Sequence, residues 1–457
     1  MSATPIISSR FATLHPKAAL PRIGVVGMAY GGYNLGEELG EAKLAEMLRL
    51  LSGQPLDAVA APRFVLTEAD AREAGVQLAA ANVDCIVVAI TTFVPDYFIT
   101  ELLDACDKPV FLWCVERELQ CISVVCGPLI TATLYNLEKH YALYGADLGD
   151  AATTVELMDF ARAAMLQRIL RELRVGFSGG KCPMMFSMSF DEYLIKRQLG
   201  TTVVNIPVEE FYELEKMIPD SEVAAYWTDL KSEIGMVTAS EEDGLQSSRY
   251  YLAALRIVEK HRLDALSLNC FPHLKSRICL GVARLNDAGI AAGCEGDLHS
   301  TILMHALRNL TGRPAFNGDW LRMYPEQREV MFSHCGAGAF DLAENGKAVC
   351  LQCSIETKDG LAVCYATHLP GDVTLANLMF GRGTLRLSVL SGEGVPTDLQ
   401  YEGTPLRVRF SQTPQELLQR IAGCGAGHHW MAGPGDWNGV LSRLCAWRGI
   451  SYNHLTS

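Results

Sequence analysis

No stretch of this chain reaches the ~18 uncharged apolar residues that a membrane-spanning helix needs; its longest apolar runs, such as Cys85–Val94, are the length of a strand. An excess of positive charge is missing too. Lys and Arg total 39 against 52 Asp and Glu, a formal charge of −13, which repels phosphate backbones and anionic lipid surfaces. The two absences speak against a membrane span and against nucleic acid as a partner. Internal repeats, coiled-coil heptads and low-complexity tracts are lacking as well, so solenoid and fibrous architectures are excluded. Met1–Arg22 mixes Ser, Thr, Pro and scattered positive charge without a continuous hydrophobic segment. It reads as a short disordered lead rather than a signal peptide, and the expected compartment is the cytosol. The 15 cysteines agree, because an odd number placed in apolar segments such as Val83–Ala89 suits reduced, buried thiols better than a disulfide framework.

What is present is apolar material in quantity: 457 residues, 49% of them hydrophobic, enough for two or three cores. From Arg22 onward, strand-like runs alternate with amphipathic stretches: Ile23–Val26, Leu35–Leu51, Cys85–Ile90, Pro95–Cys106, Val110–Cys114. That order predicts a parallel sheet covered by helices, closed by a long helix over Thr153–Arg171. A second run of the same type follows, with strands near Val175–Phe177, Thr202–Ile206, Ala265–Leu268 and Ile290–Ala292 and helices near Asp191–Leu199, Glu241–His261 and Leu298–Leu310. After Glu329 the texture changes to short Val-, Thr- and Leu-rich runs separated by Gly and Asp turns, with helical pieces at Pro414–Ile421 and Gly439–Trp447. The expected fold class is therefore α/β: two consecutive α/β domains with parallel sheets, 1–171 and 172–328, then a β-rich α+β domain, 329–457.

Two familiar patterns fail on inspection. Gly24-Val-Val-Gly-Met-Ala-Tyr-Gly-Gly32 follows a strand, yet its glycine spacing does not fit G-x-G-x-x-G and no acidic residue stands where a ribose would need one. No dinucleotide is expected. Cys350-Leu-Gln-Cys353 has no second pair, and in a strand two residues three apart face opposite sides, which favours structural thiols.

The segment Ala291-Ala-Gly-Cys-Glu-Gly-Asp-Leu-His-Ser300 carries the most chemistry. A strand ends in Glu295, Asp297 and His299 just before a helix, and ligands bind at the carboxyl ends of strands in open α/β sheets. Asp297 is expected to cap that helix and His299 to lie on its exposed first turn. Glu295, after an apolar run, should be partly buried and then needs a cation or a donor. Asp319 lies one helix and one strand further on. His334 ends another apolar run in Met331-Phe-Ser-His-Cys-Gly336, and His428 and His429 sit in Gly425-Ala-Gly-His-His-Trp-Met431. Two carboxylates and one or two imidazoles form a donor set suited to Mn²⁺, Co²⁺ or a similar divalent ion. Lys181 and Arg313 are candidates for contacting an anionic group of a ligand or for ordinary ion pairs. Glu116 and Arg117 belong to a cleft or, more plainly, to a solvated loop. Trp430, Trp437 and Trp320 offer aromatic walls or ordinary packing.

Arg284-Leu-Asn-Asp-Ala-Gly-Ile-Ala-Ala-Gly-Cys-Glu-Gly-Asp297, Gly312-Arg-Pro-Ala-Phe316 with Asp319, and His334-Cys-Gly336 resemble the core of the L-fucose isomerase and L-arabinose isomerase superfamily, in its shorter fucose-isomerase-like branch. Ser189-Phe-Asp-Glu192 and His428-His429 extend the likeness over residue 172 to the end. The resemblance implies a fucose-isomerase-like fold and a metal-dependent aldose–ketose isomerase, with Mn²⁺ (Co²⁺ or Mg²⁺ as alternatives) held by Glu295, Asp319 and His429. His334 matches a further ligand of the arabinose branch, and His428 is the alternative should the pair be offset by one. Glu295 and Asp319 would double as proton carriers between C1 and C2 of a cis-enediolate. His428, Trp430, Arg313 and Lys181 are expected at the substrate, a fucose- or arabinose-like monosaccharide or an acidic or sulfonated hexose. A homo-oligomer, trimeric or hexameric, is implied, with the first domain of one subunit closing the site of another. An epimerase, an aldolase and a sugar-binding protein without catalysis are the competing readings.

Overall fold

The structure, a computed structural model, describes residues 18–32, 39–115, 122–398 and 403–457. Among these, no helix is long and apolar enough to cross a membrane, and the 14 described cysteines are all free thiols. The lead before Ala18 and the pair Glu116 and Arg117 lie outside the described residues. The chain separates into two compact units.

One unit comprises Leu20–Arg168 and Gly439–Trp447. Its strands β1 (Arg22–Met28), β2 (Asp57–Ala60), β3 (Cys85–Ile90), β4 (Val110–Val115) and β5 (Tyr141–Ala146) form one parallel sheet in the order β2-β1-β3-β4-β5. Every residue of β3 and β4 is buried, which explains why Cys-Ile-Val-Val-Ala-Ile and Val-Phe-Leu-Trp-Cys-Val lack polar alternation: both faces are covered. The glycines of β1 serve packing. A Cβ on Gly24 would lie 2.7 Å from Leu78, and one on Gly27 would lie 2.6 Å from Phe64.

The other unit contains Ile169–Asn438 and Arg448–Ser457 and opens with β6 (Arg174–Ser178), β7 (Thr202–Ile206), β8 (Met236–Val237), β9 (Ala265–Leu268) and β10 (Ala291–Gly293). Strands β10-β9-β6-β7 make a second parallel sheet. Then come β11 (Phe316–Tyr324), β12 (Glu329–Ser333), β13 (Cys350–Cys353), β14 (Leu361–Cys364), β15 (Gly371–Gly381), β16 (Thr384–Val395), β17 (Leu406–Arg409), β18 (His429–Pro434) and β19 (Ser451–His454). Six of them run antiparallel in the order β15-β18-β11-β12-β17-β16, and β15 pairs with β16 again, closing the ring into a barrel-like sheet with β19 added parallel to β16. Closure rests on a long hairpin whose register runs from Gly371↔Gly394 to Gly381↔Thr384. Arg382 and Gly383 turn it with φ of 53° and 79°, the paired positive values that suit a two-residue hairpin.

Phe316, Val330, Phe332, Leu375, Leu390, Leu406, Val408 and Trp430 pack into this unit's main core. The segments 172–328 and 329–457 thus share one compact unit, and residue 328 falls in the turn of the β11–β12 hairpin. Helices Glu68–Ala80, Ser123–Asn136, Val208–Met217 and Asp220–Glu233 were absent from the pattern picked out by sequence. Cys350 is buried and Cys353 exposed, on opposite faces of β13.

Candidate metal centre

Glu295 leaves the end of β10 in a left-handed conformation, φ 61°, which non-glycine residues rarely adopt and which clusters at functional sites. Backbone bonds hold it there. Its carbonyl accepts from Cys182 N–H at 2.8 Å, and the next amide, Gly296, donates to Leu268 at 3.1 Å. Gly296 has φ 68°, and a Cβ there would lie 2.1 Å from the Gly180 carbonyl oxygen, so the loop after β6 approaches closely only because this residue is glycine. Asn269, at the end of β9, ties the same loop by donating to the Gly179 and Lys181 carbonyls.

Asp297 caps the helix Leu298–Thr311, as expected: Ser300 N–H donates to Oδ1 at 3.0 Å. It has a second role that the sequence did not suggest, accepting from His429 Nδ1 at 2.8 Å. Burial would push its carboxyl up, but the hydrogen bond and charge of His429, with two bonds from Ser300, hold it well below the usual carboxylate range. His299 corrects an expectation. It is 1% exposed, not on an open first turn, because the helix lies against β9 and β10; burial pushes its imidazole down.

The barrel supplies the other side chains in one row. Asp319 on β11 pairs with His429 on β18 and with Ser333 on β12, and His334 follows Ser333. Asn377 on β15 fixes the approach to His429, donating to its carbonyl at 2.7 Å and accepting from Gly427 N–H at 2.9 Å. With Nδ1–H given to Asp297, His429 presents the Nε2 lone pair. That atom lies 3.6 Å from Glu295 Oε2, 3.7 Å from Asp319 Oδ1 and 3.2 Å from His334 Nε2.

Two atom groups are compact enough to hold one ion: Glu295, His334 and His429, and Asp319, His428 and His429. The donor chemistry fits a divalent cation. Glu295 Oε2 and Asp319 Oδ1 are buried without a hydrogen-bond partner, which is costly for carboxylate oxygens unless a cation satisfies them. His334 reports the same field: burial disfavours its charge, but the charges of Cys335, Asp319 and Glu295 outweigh burial and hold its imidazole well above the ordinary value. The pocket draws positive charge. An imidazole whose far nitrogen donates to a carboxylate, as His429 does, is the usual arrangement of a metal-bound histidine.

Of the residues named from sequence, Glu295, Asp319, His334, His428 and His429 converge. His428 is exposed at its surface, its ring 4.1 Å from that of His429; partial desolvation and the neighbouring His429 lower its pKa. Lys181 belongs to the loop bonded to Glu295. Its ammonium donates to the Met185 carbonyl at 3.0 Å, sits 5.6 Å over the Phe186 ring, and makes no ion pair among the described residues. Trp430 and Arg313 do not join the group. Alternation along β18 turns Trp430 away from His429 into the core, where it is 1% exposed, and the Arg313 guanidinium donates to the Asp341 carbonyl. Trp320 packs on Phe332, and Trp437 donates to the Pro434 carbonyl. Asn377 and the Asp297–His429 bond were missed; only the Gly-His-His turn hinted that something must hold that segment.

No family model matches the chain. Curated relatives named sulfoquinovose isomerase are similar to it. The protein from Priestia aryabhattai is 23% identical over 417 residues, covering 88% of this chain and 93% of the relative. That from Alkalicoccus urumqiensis is 23% identical over 381 residues, covering 81% and 85%, and that from Clostridium sp. (strain MSTE9) is 24% identical over 295 residues, covering 62% and 65%. A solved periplasmic solute-binding protein from Actinobacillus succinogenes with bound D-allose is 13% identical, covering 64% of this chain and 91% of its own, with a TM-score of 0.18, too slight a likeness to carry an argument. The curated relatives support an isomerase, and the chain is an enzyme of that kind.

Proposed function

We propose that the protein interconverts an aldose and its ketose through a cis-enediolate with the help of a divalent ion, Mn²⁺ first and Co²⁺ or Mg²⁺ as alternatives. The observation that carries this reading is two compact donor groups that share His429, one with Glu295 and His334 and one with Asp319 and His428, each including a carboxylate oxygen buried without a hydrogen-bond partner. The names of the relatives support a substrate in the class of acidic or sulfonated hexoses.

The chemistry needs a proton moved between C2 and C1 of the sugar, from a carbon far too weakly acidic to lose it unaided. Glu295, His334 and His429, with Asp319 beside His429, would hold the divalent ion, which when bound would supply Lewis-acid stabilisation of the negative charge that develops on the sugar oxygens. Glu295 and Asp319 have the reach to carry the proton, since each keeps a second carboxylate oxygen. Asp297 holds the His429 ring in one tautomer and orientation. His428, exposed at the rim, hydrogen-bonds sugar hydroxyls. Lys181, a cation without a carboxylate partner among the described residues on the loop pinned to Glu295, takes the anionic substituent. The working form is a cytosolic homo-oligomer, trimeric or hexameric, in which the first domain of a neighbour completes the site.

The test is NMR of Mn²⁺-loaded protein in D₂O against a panel of aldoses that includes deoxy, uronic and sulfonated hexoses. A ketose product with deuterium at C1 or C2, suppressed by chelator, is expected. An unmoved carbonyl with inverted stereochemistry would point to an epimerase, C–C cleavage to an aldolase, and no turnover of any sugar would overturn the reading.

A further inference from the structure

The two imidazoles of the metal centre are fixed from behind by different chemistry. Behind His429 stands the Asp297 carboxylate, 2.8 Å from Nδ1. Behind His334, which is 6% exposed, the atom facing Nδ1 is sulfur: Cys335 Sγ at 3.4 Å. Cys279, buried on the helix Cys279–Asp287, interacts electrostatically with the same thiol. The front nitrogens, His334 Nε2 and His429 Nε2, lie 3.2 Å apart. With His429 Nδ1–H committed to Asp297, its Nε2 can only accept. His334 Nε2 therefore either carries a proton and donates it to His429, or presents a lone pair beside that of His429 toward a shared cation. The second state requires the proton on His334 Nδ1, and the acceptor facing that N–H is Cys335 Sγ.

Resting on the divalent-ion reading above, we propose that Cys335 is a positioning residue, whose sulfur accepts the Nδ1–H of His334 and thereby aims the Nε2 lone pair at the point where Glu295 and His429 converge. A carboxylate or carbonyl is the common partner of a metal-bound imidazole. Here Asp297 and Cys335 divide the work, one for each ring. Sulfur is the weaker acceptor, so His334 is held less firmly than His429 and its grip on the ion depends on the state of one thiol.

The experiment measures Mn²⁺ affinity by calorimetry, and the visible absorption of the Co²⁺-loaded protein, for the wild type, Cys335→Ala, Cys335→Ser and Cys279→Ala. The expected result is a loss of about 10–100-fold in affinity for Cys335→Ala with an altered Co²⁺ spectrum. Cys335→Ser, which keeps an acceptor, should stay within about threefold, as should Cys279→Ala, because hydrogen bonds behind a ligand act mainly through the ring they touch. Wild-type affinity and spectrum in Cys335→Ala would overturn the inference while leaving the metal reading intact. A wild type that binds no divalent ion would overturn the metal reading and this inference with it. Should Cys335→Ala fold poorly, long-range ¹H–¹⁵N spectra of the Mg²⁺-loaded wild type decide the matter: an Nδ1–H tautomer for His334 supports the assignment, an Nε2–H tautomer refutes it.

Discussion

The two halves of the candidate metal centre are held by different means. On the parallel-sheet side, Glu295 stands on a loop with φ 61°, kept there by backbone bonds from Cys182 and Gly296. On the barrel side, Asp319, His334 and His429 take their places from strand register, with Asp319 opposite both His429 and Ser333. A register is set by many hydrogen bonds and a buried face at once, so the barrel side should tolerate the loss of one contact, whereas the loop concentrates its function in one side chain. Asp297 joins the halves: it starts a helix of the sheet side and holds a histidine of the barrel side.

The contrast is broken most sharply at Glu295. Glu295→Gln should lower turnover by roughly 10²–10⁴-fold, the usual worth of a positioned acid–base group, with the thermal midpoint unchanged; steady-state rates and a melting curve check both.

The helix behind the loop predicts a pH effect on stability. His305 is buried with Nδ1 unpartnered, and burial, assisted by the Arg308 charge, pushes its pKa down to about 4. The unfolded chain then binds more protons between pH ~6.5 and ~4. Stability is fully present above that window and falls through it as the pH drops, by roughly 3 kcal/mol. Urea unfolding across this range should show the slope, and His305→Phe should flatten it.

The joint between the halves separates by substitution. Asparagine caps a helix as well as aspartate does, so Asp297→Asn should keep the cap, give up the charge-assisted bond to His429, and weaken divalent-ion binding by roughly 10–100-fold. Asp297→Ala should lose the ion binding and about 1 kcal/mol of cap as well. Calorimetric titration and chemical denaturation of the pair distinguish the two roles. The smallest effect is expected on the barrel side: Asn377→Ala removes two bonds around the His428–His429 turn and should cost about 1–3 kcal/mol of stability with only a few-fold loss of ion affinity.

How much of this the sequence disclosed follows from the range of the interactions. Strands Thr202–Ile206 and Ala265–Leu268 and the helix Glu241–His261 were legible to the residue, because periodicity and flanking turns are local signals. Glu295, Asp319, His334 and His429 stood out as chemistry-bearing residues at the ends of apolar runs, and the structure brings them together. Barrel closure did not show, since it needs β11 paired with β18 across more than a hundred residues as well as the Gly371–Gly394 hairpin. The same distance hid Asp297 behind His429, 132 residues away, and Asn377 behind the His-His turn. Trp430 looked like a wall of the site because it adjoins His429 in sequence, but adjacent strand residues face opposite sides, and it fills the core. His299 looked exposed because a helix start usually is; the sheet packed against it buries it.

The central claim is that a loop of the parallel sheet and a row of barrel strands meet on one divalent ion. It is tested most directly by titrating Mn²⁺ into the protein and following free ion by electron paramagnetic resonance, for the wild type, Glu295→Gln and Asp319→Asn. The account predicts one tightly bound ion per chain, weakened by either substitution, since each removes a charged donor from a different half. Wild-type binding retained in both variants, or no binding in any of the three, would contradict it.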